Sequence, residues 1–144
     1  MQNRYETFTT LINSISRSIR RIKNEAMKDY NLKSHHVSCL YYLFKEGPLT
    51  PSELIELCDE DKAAISRSLV FLEKEGYVIK DKKKNHYNNK IKLTEKGNEI
   101  GEYITFRIDS ILEAADQVIL EENRNNFYET LQMIERSLKK VNDN

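Results

Sequence analysis

The stretch from Leu49 to Leu93 constrains this chain most, because it carries start and stop signals for two short helices with almost nothing between them. Thr50 is a capping hydroxyl, Pro51 suits a first helical position, and Glu53 stands third, where its carboxylate reaches back to the Thr50 amide. Leu49 and Leu54 flank that cap at the spacing of a hydrophobic staple. The helix is predicted to stop near Cys58, where Asp59-Glu60-Asp61 interrupts the apolar pattern and offers new capping side chains. A second helix is predicted from about Glu60 to Glu75, with Ile65, Leu69 and Leu72 as its buried stripe. Gly76 ends it at the position that needs a left-handed backbone. Two short helices joined by a tight turn make a helix-turn-helix.

The residues after Gly76 make the pattern more specific. Tyr77-Val78-Ile79 is a short β-prone run, and Ile91 with Leu93 lies in another; the polar, basic segment between them reads as a hairpin loop. A hairpin directly after the second helix is a wing. From Lys62 to Lys92 there are nine basic residues and three acidic ones, in a chain whose formal net charge is zero. Acidic stretches flank this region on both sides, so positive charge is segregated rather than scarce. Such a concentration suits a phosphate backbone, whose neutralisation releases counterions.

The remaining bounds are ordinary. At 144 residues the chain is read as a single domain, large enough for a core, and 39% hydrophobic with 32% charged residues suits a helix-rich globular protein. No apolar run approaches the roughly 20 residues of a membrane span, and the N-terminus has no signal-peptide pattern. Two distant cysteines without a CxxC point to a reducing cytoplasm rather than to a disulfide framework. An enzyme would need a convergent nucleophile and base, a phosphate loop or a metal cluster, and the sequence offers none; no cofactor is expected.

Taken in order, residues from Tyr5 to about Tyr30 read as one amphipathic helix, with Phe8, Ile12, Ile15, Ile19, Ile22 and Ala26 on one face. Arg17, Arg20, Arg21, Lys23 and Lys28 lie opposite, as either a solvated face or a flank on phosphates. Ser34 is the expected cap of the next helix, whose stripe Val37, Leu40, Tyr41 and Phe44 ends at Gly47-Pro48. Thr94 is expected to cap a helix reaching about Ile119, buried through Ile100, Ile104, Ile108, Ile111, Leu112 and Ala115. A last helix starts at Glu121-Glu122 and carries Phe127, Leu131, Ile134, Leu138 and Val141. One winged helix does not need such long apolar faces at both ends. Either they pack together within the chain, or they form an interaction surface with a second copy.

The order of elements resembles that of the MarR family of bacterial transcription regulators. The resemblance rests on Leu49-Thr50 with Ser52-Glu53-Leu54, and on Asp61-Lys62-Ala63-Ala64-Ile65-Ser66-Arg67. Leu72-Glu73-Lys74-Glu75-Gly76-Tyr77-Val78 and Leu93-Thr94-Glu95-Lys96-Gly97 complete it. It covers essentially the whole chain and implies a fold class: mainly α with a small β-hairpin wing. A winged helix-turn-helix lobe (about 35–93) would be flanked by N- and C-terminal dimerisation helices (about 1–30 and 94–144). It also implies a homodimer on a pseudo-palindromic operator in double-stranded DNA, acting as a cytoplasmic repressor that a small molecule, metal or oxidant releases. The family's wing usually carries an Asp-Arg-Arg run near its tip; Asn85-His86-Tyr87 stands there instead, leaving Lys82 to Lys84 to take the place of the minor-groove arginine. Ala63-Ala64 replaces hydroxyl residues common early in the recognition helix.

Helical geometry selects the readers independently. With Ile65, Leu69 and Leu72 inward, Lys62, Ala63, Ser66, Arg67, Val70 and Lys74 lie outward. The Arg67 fork matches guanine's acceptors; its alternative is an intrachain ion pair with the preceding helix. Lys62 and Ser66 suit phosphate or base edges, Lys74 phosphate, and Lys82, Lys83, Lys84 and His86 of the wing phosphate contacts or a solvated loop. His36, Tyr41 and Tyr42 are candidate linings of an effector cleft, or core residues. His35 and Cys39 stand four apart, but two ligands do not make a metal site, and Cys39 adjoins the apolar stripe. Cys58, beside three acidic residues, is expected to resist thiolate formation. The rival to DNA binding is a winged-helix protein-interaction module without sequence-specific DNA binding.

Overall fold

The computed structural model describes residues 3–58, 60–81 and 89–143. In order these form α1 (Arg4–Ala26), a 3-10 turn (Lys28–Tyr30), α2 (Ser34–Glu46), α3 (Pro51–Cys58), α4 (Lys62–Lys74), β1 (Val78–Lys80), β2 (Ile91–Leu93), α5 (Glu95–Asp116) and α6 (Glu121–Asn142). They fall into two compact units, one ending at Ile108 and the other beginning at Asp109.

The first unit is built around α2. Val37, Cys39 and Leu40 are fully buried, and they share one cluster with Leu54 of α3, Ile65, Leu69 and Leu72 of α4, Val78 and Ile91 of the hairpin, and Ile100 and Ile104 of α5. The stripe predicted for α4 is the one that is buried. Burying residues of this kind stabilises by roughly 1.5–3 kcal/mol each, so this cluster sets where the surrounding helices sit. Strands β1 and β2 pair antiparallel, with Val78 opposite Leu93 and Lys80 opposite Ile91. Leu49 extends the ladder through a bridge to Ile91, its N–H donating at 3.1 Å and its carbonyl accepting at 2.7 Å. The wing is thereby tied to the residue that precedes Thr50 and α3.

The local signals of α3 and α4 are realised in hydrogen bonds. Thr50 N–H donates to Glu53 Oε2 at 2.8 Å and Glu53 N–H to Thr50 Oγ1 at 3.2 Å, a complete capping box. Asp61 caps α4, accepting from Ala64 N–H at 2.7 Å. Gly76 has φ of 79°, as its place after α4 requires.

Several expectations differ. The first helix ends at Ala26, not near Tyr30, because Met27 and Leu32 both enter the core. Five residues apart on one helix they would point about 140° away from each other. The 3-10 turn and Asn31, at φ 56°, redirect the chain so that both turn inward. Ser34 does not cap α2. Lys33 holds that position, its N–H donating to His36 Nδ1 at 3.0 Å, while Ser34 N–H donates to Asn24 Oδ1 of α1 at 2.6 Å. The α1 side chain has taken the role that residue type assigned to Ser34. Helix α5 stops at Asp116, short of Ile119; its carboxylate pairs with Arg124 at 2.7 Å and accepts from Tyr128 Oη at 2.6 Å, both from α6.

The long helices are apolar where they are exposed. Neither α1 nor α6 contains a buried residue, and Ile12, Ile15, Phe127, Leu138 and Val141 are all exposed. The buried face of α5 runs from Gly97 to Thr105; beyond it Leu112 and Ala115 are exposed, not buried as the periodicity predicts.

Candidate nucleic-acid interface

The site is organised by the junction where α4, the wing and α5 meet. Gly76 and Tyr77 turn the chain out of α4, and both carbonyls are held by Thr94: its hydroxyl donates to Gly76 O at 2.6 Å, and its amide donates to Tyr77 O at 3.0 Å. The same hydroxyl accepts from Gly97 N–H at 3.0 Å, so one side chain closes the turn and caps α5. Lys96 Nζ donates to Glu75 O at 2.6 Å and lies 4.3 Å from the Tyr77 ring centre. Leu72-to-Val78 and Leu93-to-Gly97, about twenty residues apart in sequence, are thus two halves of one joint. It ties the end of α4 to the start of α5.

On α4 the buried and exposed faces separate cleanly. Ile65, Ser68, Leu69 and Leu72 are buried, whereas Lys62, Ala63, Ser66, Arg67, Val70 and Lys74 are all exposed. At roughly 100° per residue those six share an arc of about 140°. Among the described residues no carboxylate pairs with Arg67. Its field instead reaches His35, whose pKa lies below its usual value through burial, opposed by Glu60 and reinforced by Lys33, Arg67 and Arg20. Val70 is 64% exposed, an apolar side chain held in the middle of a polar face. Sequence reasoning missed Ser68, which is fully buried; its hydroxyl donates to Ala64 O at 2.8 Å, letting a polar residue face the core.

The base of the wing adds exposed Lys80 and Lys90. Lys80 lies 3.8 Å from Glu73, a surface pair that contributes little to stability. Lys82, Lys83, Lys84 and His86 lie outside the described residues.

An exposed helix face beside a basic hairpin, fixed by a shared joint, has counterparts among known proteins. The profile of the bacterial regulatory protein arsR family matches residues 37–80. An uncharacterised HTH-type transcriptional regulator of Bacillus cereus is 32% identical over 110 residues, covering 71% of this chain and 74% of the relative. The chain belongs to the HTH-type transcriptional regulators.

Its fold is the winged-helix fold of the MarR regulators. A putative MarR family regulator from Listeria monocytogenes, solved in complex with a 26mer DNA, superposes with a TM-score of 0.85 at 23% identity, over 92% of this chain and 89% of that one. The S. aureus MepR–DNA complex gives 0.80 at 18% identity, over 91% and 97%. These relatives are transcription regulators rather than enzymes.

The three candidate effector-cleft residues all lie on α2 of this regulator. His36 is buried, caps the helix through Nδ1 and stacks on Phe71 of α4 at 4.3 Å. Burial, with His35 and Lys33 adding to it, pushes its pKa down to about 4, so the imidazole is neutral and free to accept. Tyr41 and Tyr42 are half-buried and meet edge to face at 5.3 Å. A cavity of about 290 Å³ opens elsewhere, lined by Ile15, Ile19, Lys23, Ser34, Cys58 and Glu60 among others.

Cys58 departs from the expectation set by its sequence neighbours. The acidic residues beside it should oppose the thiolate, yet its pKa lies below the usual thiol value. The chief cause is a hydrogen bond from the Cys39 thiol, and Lys23 adds to it, against burial and Glu60. Cys39 is correspondingly pushed up, as the donor and by burial. No group of three or more His, Cys, Asp or Glu residues among the described ones could hold a metal ion. No helix among them is long and apolar enough to cross a membrane.

Proposed function

We propose that this regulator is a cytoplasmic homodimer that binds a pseudo-palindromic operator in double-stranded DNA as a repressor and is released by a small-molecule effector. The observation that carries the DNA-binding part is the outer face of α4. Six side chains suited to base edges and phosphates stand exposed there, and among the described residues Arg67 has no ionic partner to satisfy it. Arg67 reads a guanine, Ala63 and Val70 contact thymine methyls, and Lys62, Ser66 and Lys74 hold phosphates or base edges. Lys82, Lys83, Lys84 and His86 extend the phosphate contacts along the wing. DNA bound to the Listeria and S. aureus relatives, which share the fold, supports the reading.

The two-fold arrangement draws on the exposed apolar faces of α1 and α6, which a second copy would cover. In this reading residues 1–30 and 94–144 serve dimerisation and 35–93 form the DNA-binding lobe. Effector release is assigned to the part of α2 that carries His36, Tyr41 and Tyr42.

Fluorescence anisotropy across a salt series tests the central claim, using DNA upstream of the regulator's own gene and a scrambled control. Tighter binding to the upstream DNA, with a steep salt slope, is expected. Binding to neither at low salt would favour the protein-interaction alternative instead.

A further inference from the structure

The positive charge of α4 continues on to other elements. Arg67 and Phe71 stand one turn apart on α4, and the Phe71 ring stacks on His36 of α2 with ring centres 4.3 Å apart. His36 meets His35 edge to face at 4.4 Å, and the Lys33 N–H donates to His36 Nδ1 at 3.0 Å. The start of α2 is thereby packed beside the part of α4 that carries Arg67. Helix α1 closes the same corner. Asn24 Oδ1 accepts from the Ser34 N–H at 2.6 Å, and Arg20, one turn before Asn24, lines the cavity of about 290 Å³ together with Ser34 and Glu60. Arg20, Lys33 and Arg67 come from three different parts of the chain and all are exposed. Among the described residues no carboxylate lies within ion-pair distance of any of them. His35, half-buried between them, registers their field: burial lowers its pKa first, Glu60 opposes, and Lys33, Arg67 and Arg20 lower it further.

We propose that Lys33 and Arg20 form a phosphate-binding strip that starts beside Arg67 and carries the DNA interface from α4 on to the start of α2 and the middle of α1. The proposal rests on the DNA-binding reading above. Cations gathered without paired carboxylates repel one another, and an anion placed among them removes that cost. The anion is the DNA backbone rather than a free solute because Arg67 belongs both to this cluster and to the exposed face of α4. A strand whose bases meet that face is therefore led on to Lys33 and Arg20. These two residues hold phosphates and carry no sequence information, so they add affinity for any DNA and leave the choice of sequence to α4.

Fluorescence anisotropy of the full-length protein on upstream and scrambled DNA, across a salt series, tests this. Arg20→Gln and Lys33→Gln should each lower the slope of log affinity against log salt by about 1, and the double variant by about 2. The fold-loss in affinity should be the same on both DNAs. Arg20→Lys keeps the charge and should keep the slope. Arg136→Gln removes a charge on α6, outside the strip, and should also leave the slope unchanged. A double variant with the wild-type slope, in a protein that still prefers upstream DNA, would overturn the strip while leaving the DNA-binding reading standing. An equal loss of slope in Arg136→Gln would overturn it as well, because net charge alone would then account for the effect. Wild type that binds neither DNA at low salt would overturn both.

Discussion

Gly97→Ala sets two physical effects against each other. Gly97 is the third residue of α5, and helix propensity alone predicts that alanine there stabilises by about 1 kcal/mol. The joint predicts the opposite. A Cβ at this position would overlap the Tyr77 carbonyl oxygen and stand 3.0 Å from the Tyr77 carbonyl carbon and 3.1 Å from Leu93 Cδ2. An unstrained carbon–oxygen contact is about 3.3 Å or more, so the Tyr77 peptide would have to move by more than about 1 Å. Backbone cannot yield as a side-chain tip does, and this carbonyl accepts from Thr94 N–H at 3.0 Å and Thr94 Oγ1 at 3.2 Å. Losing both bonds costs about 1 kcal/mol each, and overpacking adds about 1–3 kcal/mol. Against the propensity gain, the net loss is about 2–4 kcal/mol, lowering the melting temperature by roughly 5–15 °C. Urea unfolding followed by circular dichroism measures it. Gly101→Ala is the control: its Cβ meets only the Phe44 side chain, at 3.0 Å, which can shift, so a change within about 1 kcal/mol is expected. A Gly97→Ala protein as stable as wild type would refute the claim that the joint is sterically closed.

Three further outcomes rest on particular residues. His36 has its pKa lowered from 6.5 to about 4, so the unfolded chain binds more protons between those values and stability falls as pH drops through that window. The full shift corresponds to about 3 kcal/mol, and screening reduces the expected loss between pH 7 and pH 4 to about 1–2 kcal/mol; His36→Asn should remove that part of the pH dependence, and an identical pH profile in the variant would count against it. Asp61→Ala deletes the 2.7 Å cap of α4 and should cost about 1 kcal/mol in urea unfolding, whereas an unchanged midpoint would mean that water replaces the cap. Arg67→Ala should weaken operator binding by about 1–3 kcal/mol while barely changing affinity for scrambled DNA, and Lys74→Ala should weaken both alike; equal losses on both DNAs for Arg67→Ala would reassign it to phosphate.

Local signals were the most legible part of the chain. The Thr50–Glu53 capping box and the positive φ of Gly76 each depend on residues within a few positions and are present as predicted, while of the capping side chains offered by Asp59-Glu60-Asp61 it is Asp61 that caps α4, two residues beyond the expected start at Glu60. The outward face of α4 was legible too, because helical geometry leaves little freedom once Ile65, Leu69 and Leu72 turn inward. Cap choice failed where another helix intervened: Asn24 engages the Ser34 amide, and no local pattern announces that. The end of α1 failed for a related reason, since only the core's demand for both Met27 and Leu32 breaks the periodicity.

Periodicity, capping chemistry and charge segregation were enough to place two short helices, a hairpin and an exposed, basic helix face in order along the chain. These properties depend on neighbours in sequence, where side chains meet whatever the rest of the fold does. The closing of the α4–wing–α5 joint around Gly97 and the stacking of His36 on Phe71 depend on contacts between residues far apart in sequence. Their chemistry comes from those contacts. His36 is neutral for the same reason: burial on α2, reinforced by His35 and Lys33, pushes its pKa down to about 4.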